Sequence, residues 1–95
     1  MELALCFLIE TEDIMKGIVF LSGGTDGSDG PTEAAGAIVD YPVIERMRRM
    51  NIDPREYLSR NDSYTFFKET SGLLITGPTN TNVMDIQLLL VERKE

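Results

Sequence analysis

The chain has 95 residues, 9 Lys+Arg against 16 Asp+Glu, a formal charge of −7, no His and one Cys. Without histidine there is no Ser-His-Asp triad, no Cys-His dyad and no imidazole zinc site. One cysteine makes no internal disulfide, and the negative balance argues against nucleic acid, whose phosphates are held by clustered Lys and Arg. A hydrophobic fraction of 42% is that of a globular domain, and at this length such a domain buries roughly 60–65% of its unfolded surface, so its stability without a partner is modest.

In chain order, residues 2–11 are apolar nearly all the way round and predict a helix that must be covered on every face. Only Met1 precedes Glu2, so this helix has no capping side chain. No basic residue precedes the apolar run 3–9 and Glu10, Glu12 and Asp13 follow it, which is neither a secretory peptide nor a bilayer span of about 20 residues. The expectation is an intracellular, cytoplasmic protein that does not enter the membrane. There Cys6 serves as a buried small apolar residue, and the glycosylation-like Asn61-Asp62-Ser63 is incidental. After Gly17, the run Ile18-Val19-Phe20-Leu21 predicts a strand buried on both faces, as in a parallel or mixed sheet.

Residues 22–32 read Ser-Gly-Gly-Thr-Asp-Gly-Ser-Asp-Gly-Pro-Thr, too rich in glycine and aspartate for a regular element. They predict a loop, then a short helix from Pro31 through Ala35 and a strand over 36–40. Val43, Ile44, Met47 and Met50 share a helical face, with the arginines outside it and Met47 and Met50 in the core. Asp53-Pro54-Arg55-Glu56 starts a second helix with Asp53 as cap. Asn61-Asp62-Ser63 starts a third, which turns Tyr64, Phe66 and Phe67 inward and ends at Gly72. Residues 73–75 and 86–91 are strands separated by a polar loop over 76–85, and 92–95 is a charged tail. The fold class is α/β: a small mixed sheet flanked by short helices.

Two loops carry the chemistry, each following a strand; α/β sheets bind ligands outside the carboxyl ends of their strands, so the expectation is that both loops meet at one site. In the first, glycines permit close backbone approach, and Asp26 and Asp29 offer hard carboxylate oxygens suited to Mg²⁺ or to accepting a proton. It is not a Walker loop, a dinucleotide fingerprint or an EF-hand, and a plain Gly-Asp turn cluster is the competing reading. The second presents Thr76, Thr79, Asn80, Thr81, Asn82 and Asp85, hydroxyls and amides that bind a polyhydroxy acid or phosphate and equally cap turns. The arginines from 46 to 60 read chiefly as the solvated faces of amphipathic helices.

Residues 20–40, Phe-Leu-Ser-Gly-Gly-Thr-Asp-Gly-Ser-Asp-Gly-Pro-Thr-Glu-Ala-Ala-Gly-Ala-Ile-Val-Asp, resemble the signature loop of class II glycerate kinases in their C-terminal MOFRL domain. Asn61-Asp-Ser-Tyr-Thr-Phe-Phe67 and the stretch from Leu73 to Asp85 resemble its later signatures, in the same order. The resemblance covers nearly the whole chain, as a single MOFRL-like domain over 1–95. It implies an enzyme that transfers the γ-phosphoryl group of ATP, with Mg²⁺, to D-glycerate, in a cleft shared with an N-terminal Rossmann-like domain. It puts Thr25, Asp26 and Asp29 on the cleft face of the first loop and Thr79, Asn80, Thr81 and Asn82 on the second. From chemistry, Asp26 or Asp29 orients the glycerate hydroxyl or a Mg²⁺ water, the second loop binds substrate or phosphate, and Asp85 braces it. Some members carry the label hydroxypyruvate reductase, although no nicotinamide fingerprint exists here.

Three departures from the family pattern bear on activity. Asn80 stands where Gly is usual, which a left-handed backbone tolerates, and Glu33 stands where Asp is usual. The third is the family's glycine-rich loop ending Gly-Gly-Arg-Asn-Gln, which precedes the first helix there and is absent here. The expectation is therefore a chain truncated within its first helix, lacking the arginine fork that binds phosphoryl or carboxylate, and inactive by itself. The alternative is a non-catalytic binding or assembly module, as a homodimer that hides the surface of the missing domain.

Overall fold

The computed structural model describes residues 1–14, 16–24, 35–75 and 85–91. In chain order these form α1 (Glu2–Thr11), a 3₁₀ turn (Glu12–Ile14), β1 (Ile18–Gly24), β2 (Gly36–Val39), α2 (Tyr41–Met50), α3 (Pro54–Ser59), α4 (Ser63–Glu69), β3 (Leu73–Leu74) and β4 (Asp85–Val91). The expected α/β class stands: a small sheet flanked by short helices. The strand directions differ from the mixed sheet expected, since in the order β3-β2-β1-β4 every described pair is antiparallel. The connection explains this, because β1 ends at Gly24 and β2 begins at Gly36, and a parallel crossover needs a dozen or more residues with room for a helix. A continuously apolar strand reports two apolar faces, not a direction.

Register and alternation assign those faces. Phe20 pairs with Val39 and Leu89, and Ser22 pairs with Ala37 and Gln87, so these point one way. Phe20, Ala37 and Val39 on that face form one core with Ala4, Leu5 and Leu8 of α1, Val43, Ile44 and Met47 of α2, and Phe66 and Phe67 of α4. Phe7 stacks on Phe20 with ring centroids 4.2 Å apart, and Phe66 meets Phe67 edge-on at 5.1 Å. The helical layer therefore lies on the Phe20 face. Met50, expected in the core, is exposed instead, because it comes after the last turn that faces the sheet. Cys6 is half-buried rather than enclosed.

Local signals set the helix ends. The Asp40 carboxylate accepts from Val43 N at 3.0 Å and caps α2, whose first turn holds Pro42. Asn51 ends α2 in the left-handed region at φ 56°, its N–H reaching the Arg48 and Met47 carbonyls. Asp53 caps α3 through Arg55 N, as its sequence promised. The α4 exit divides one expected role between two residues: Ser71 takes the positive φ of 62°, and Gly72 supplies the missing side chain. A Cβ on Gly72 would meet Phe67 Cδ1 at 2.8 Å and Ile38 O at 2.9 Å.

The arginines do more than solvate a face. Arg46 Nε donates to the Thr70 carbonyl at the end of α4, placing a cation where helix carbonyls point outward. Arg48 reaches Glu12, with Nε 3.4 Å from its carboxylate, and the Arg60 guanidinium lies 4.9 Å from the Tyr57 ring centroid.

Candidate functional site

The first glycines read as loop, Gly23 and Gly24, belong to β1, where they allow strands to approach closely. A Cβ at Gly36 would stand 1.9 Å from Ser22 O and 2.5 Å from Gly23 Cα, so the β1–β2 pair closes only because position 36 is bare. Beyond this rung the chain leaves β1 after Gly24 and returns at Ala35, whose N–H donates to Leu74 O at 2.7 Å.

Four chain ends meet at this edge. Gly24 is the register partner of Asp85, Gly23 of Gly36, and Gly36 of Leu74. Asp85, read from sequence as a loop residue, is the first residue of β4. The segment 25–34 thus joins the two central strands, and the segment 76–84 joins the two outer strands, β3 and β4, whose axes lie three strand spacings apart, or about 14 Å. Both loops singled out by their chemistry are anchored at the same end of one sheet.

Thr25, Asp26, Asp29, Thr79, Asn80, Thr81 and Asn82 themselves lie outside the described residues, as do Glu33 and most of the short helix expected from Pro31. Ala35, the last residue of that expected helix, leads straight into β2. Among the described residues no group of three or more His, Cys, Asp or Glu is placed to hold a metal ion, and no helix is long and apolar enough to cross a membrane. A cavity of about 380 Å³ opens at the opposite end of the sheet, lined by Gly17, Asp40, Tyr41 and Leu90 among others. Its lining comes from the start of β1 and the ends of β2 and β4, so this cavity does not belong to the loop end, and the Asp40 carboxylate there is engaged as the α2 cap. On the helical layer, the Tyr57 hydroxyl donates to both Glu69 oxygens at 3.3 Å; desolvation, and then the Glu69 charge, raise its pKa.

Residues 1–85 match the MOFRL family. The chain belongs to that family. A D-glycerate 2-kinase of Thermotoga maritima is 50% identical over 90 residues, which are 95% of this chain and 21% of that protein. A putative hydroxypyruvate reductase of Agrobacterium vitis is 56% identical over 79 residues, 83% of this chain and 20% of that one. Among solved structures, a Thermotoga maritima glycerate kinase matches with a TM-score of 0.85 at 49% identity, over 94% of this chain and 21% of that one. The MOFRL chain thus spans about a fifth of the length of these relatives. That the two loops share one end of the sheet is what their residue pattern led one to expect; what sequence reasoning missed was the antiparallel pairing of β1 with β4 that brings their anchors together. No local signal carries it, since it depends on the register between β1 and a strand at the far end of the chain.

Proposed function

We propose that this MOFRL chain acts as the C-terminal part of a cytoplasmic glycerate kinase. In this reading it contributes the 25–34 and 76–84 segments to the ATP- and Mg²⁺-dependent phosphorylation of D-glycerate, in a cleft with a Rossmann-like N-terminal domain. The observation that carries the reading is the meeting of Gly24 and Asp85 at one sheet end, the two anchors of segments whose residue types suit phosphoryl transfer. Family membership and the kinase names of longer relatives support it, and the Thermotoga maritima name favours the 2-hydroxyl as acceptor.

In that site the glycerate hydroxyl oxygen attacks the γ-phosphorus, the bond to the β,γ-bridging oxygen breaks, and ADP departs while the hydroxyl proton passes to a base. Such transfer needs positioning and charge neutralisation more than covalent help. Asp26 and Asp29 fit the roles of proton acceptor and Mg²⁺ ligand, because ionised carboxylates supply hard oxygens at neutral pH. Thr79, Asn80, Thr81 and Asn82 fit neutral hydrogen bonding to the substrate carboxylate or to phosphate.

The test replaces the matched region of the Thermotoga maritima kinase with this chain and measures ADP release with ATP, Mg²⁺ and D-glycerate. The expected result is turnover by the chimaera and none by the 95-residue chain alone. A folded chimaera that oxidises NADH with hydroxypyruvate but releases no ADP would overturn the kinase reading in favour of a reductase.

A further inference from the structure

The second face of the sheet has no described partner. Alternation puts Val19 and Leu21 of β1, Ile38 of β2, Leu74 of β3, and Ile86, Leu88 and Leu90 of β4 on the side opposite Phe20. All are apolar. The described core lies on the Phe20 side; on the opposite side Val19 of the central strand β1 stands 36% exposed and Ile86, Leu88 and Leu90 of β4 43%, 49% and 56%, while β4, an edge strand, also leaves Leu89 and Val91 of the Phe20 side 52% and 65% exposed. Strands with two apolar faces belong to sheets covered on both, and a contiguous apolar patch of this kind marks an interaction surface.

We infer that the open face of β1 and β4 is the seat of an apolar helical layer supplied by the part of the enzyme that its relatives carry outside this span. The inference rests on the reading of this chain as one part of a longer glycerate kinase. Two observations select that occupant over a second copy of the chain. The four strands hold 20 residues, which at a rise of ~3.3 Å and a spacing of ~4.8 Å cover about 320 Å² of sheet, against about 800 Å² per partner in stable two-chain interfaces. A layer in the same polypeptide needs less area, because tethering supplies a high effective concentration and removes much of the association entropy. The relatives also have the chain to supply it, since the matched region is 21% of the Thermotoga maritima kinase. With no charged residue among Val19, Leu21, Ile38, Leu74, Ile86, Leu88 and Leu90, the face matches an apolar helix stripe rather than a polar segment.

The test uses the same chimaera in a cysteine-free background with Cys6→Ser, and compares thiol labelling at Leu88→Cys and Val19→Cys with labelling at Arg49→Cys, an exposed position on α2. At nanomolar concentration the two face thiols are expected to react at least tenfold more slowly than the control in the folded protein, and equally fast in urea. A ratio below tenfold overturns the inference. So does protection that arises only with a doubled mass on raising the concentration, which assigns the face to a second copy, and so does a chimaera that does not fold. Loss of folding in both face variants but not in the control supports the inference, because side chains half exposed in this chain carry too little to unfold it. Labelling needs no activity, so protected thiols in a chimaera without kinase turnover sink the catalytic reading alone.

Discussion

Gly24 and Asp85 face each other on the last rung of the β1–β4 ladder, although 61 positions separate them in the chain. Gly24 is the last residue before segment 25–34, and Asp85 is the first after segment 76–84. The pairing makes the sheet end a platform for both segments, while the helical layer is left to stability.

If the carboxylates at that platform carry the chemistry, Asp26→Asn and Asp29→Asn leave the charge-dependent step without its proton acceptor or metal ligand. In the Thermotoga maritima chimaera each change is expected to lower kcat about 10²-fold or more while the thermal midpoint stays within a few degrees. Steady-state ADP release beside a calorimetric melt checks both. Two variants with full kcat would remove both residues from the mechanism.

Position 36 tests the strand approach. Gly36→Ala puts a methyl 1.9 Å from Ser22 O, a clash with backbone that no rotamer relieves, so the expected loss is above about 3 kcal/mol. At Gly23 the same change meets Ala35 O at 3.1 Å, and about 1 kcal/mol is expected. Urea unfolding of the two variants side by side gives the ranking, and a Gly36→Ala as stable as Gly23→Ala would contradict the pairing.

Packing makes a second ranking. Phe66 is fully buried among Phe67, Tyr57 and the α1–α2 core, so Phe66→Ala is expected to cost about 3–5 kcal/mol. Met50→Ala, at a side chain 44% exposed, is expected to cost under about 1 kcal/mol. Equal losses in denaturant melts would mean that Met50 has the core role the helical spacing gave it.

The fold was legible wherever the signal is local. Asp53-Pro54 announces α3, the 43–47 periodicity announces α2, and Ile18 to Leu21 announces a strand with two apolar faces. What failed depends on partners distant in sequence: strand direction, the strand character of Gly23 and Gly24, and the place of Asp85. Arg46 is the clearest case. Its spacing on α2 marks a solvated face, yet it bonds the Thr70 carbonyl on another helix. The candidate site was legible as residue types in two loops expected to meet, and the register supplies the antiparallel β1–β4 rung at which their anchors share an edge.

That arginine yields a further expectation. Arg46→Ala leaves the Thr70 carbonyl without its cation at the α4 terminus, and about 1–2 kcal/mol of stability is expected to go. Arg49→Ala, exposed on the same helix, is expected to be neutral. A chemical denaturation midpoint unchanged in Arg46→Ala would show that the contact contributes nothing.

The Tyr57–Glu69 contact sets an alkaline expectation. The pKa of Tyr57 is raised in the folded chain, by desolvation first and by Glu69 second. The folded state therefore holds this proton more tightly than the unfolded one. Its contribution is complete below the ordinary tyrosine value of about 10 and is lost as pH rises through the raised one. Glu69→Gln is expected to lower the Tyr57 ionisation midpoint in an absorbance titration at alkaline pH, and a midpoint that does not move would exclude the contact.

The strict alternation along β1 also governs which changes of chain length the molecule can absorb. Removing one residue inside Ile18–Gly24 would turn the β1 side chains on one side of the cut to the opposite face, so that removing Val19, for example, sets Ile18 and Phe20 on opposite faces. An insertion between Gly24 and Ala35 leaves that parity intact, because the strands on either side keep their own registers. The two segments that flank the Gly24–Asp85 rung can thus vary in length without disturbing the sheet, whereas β1 is held to a fixed count.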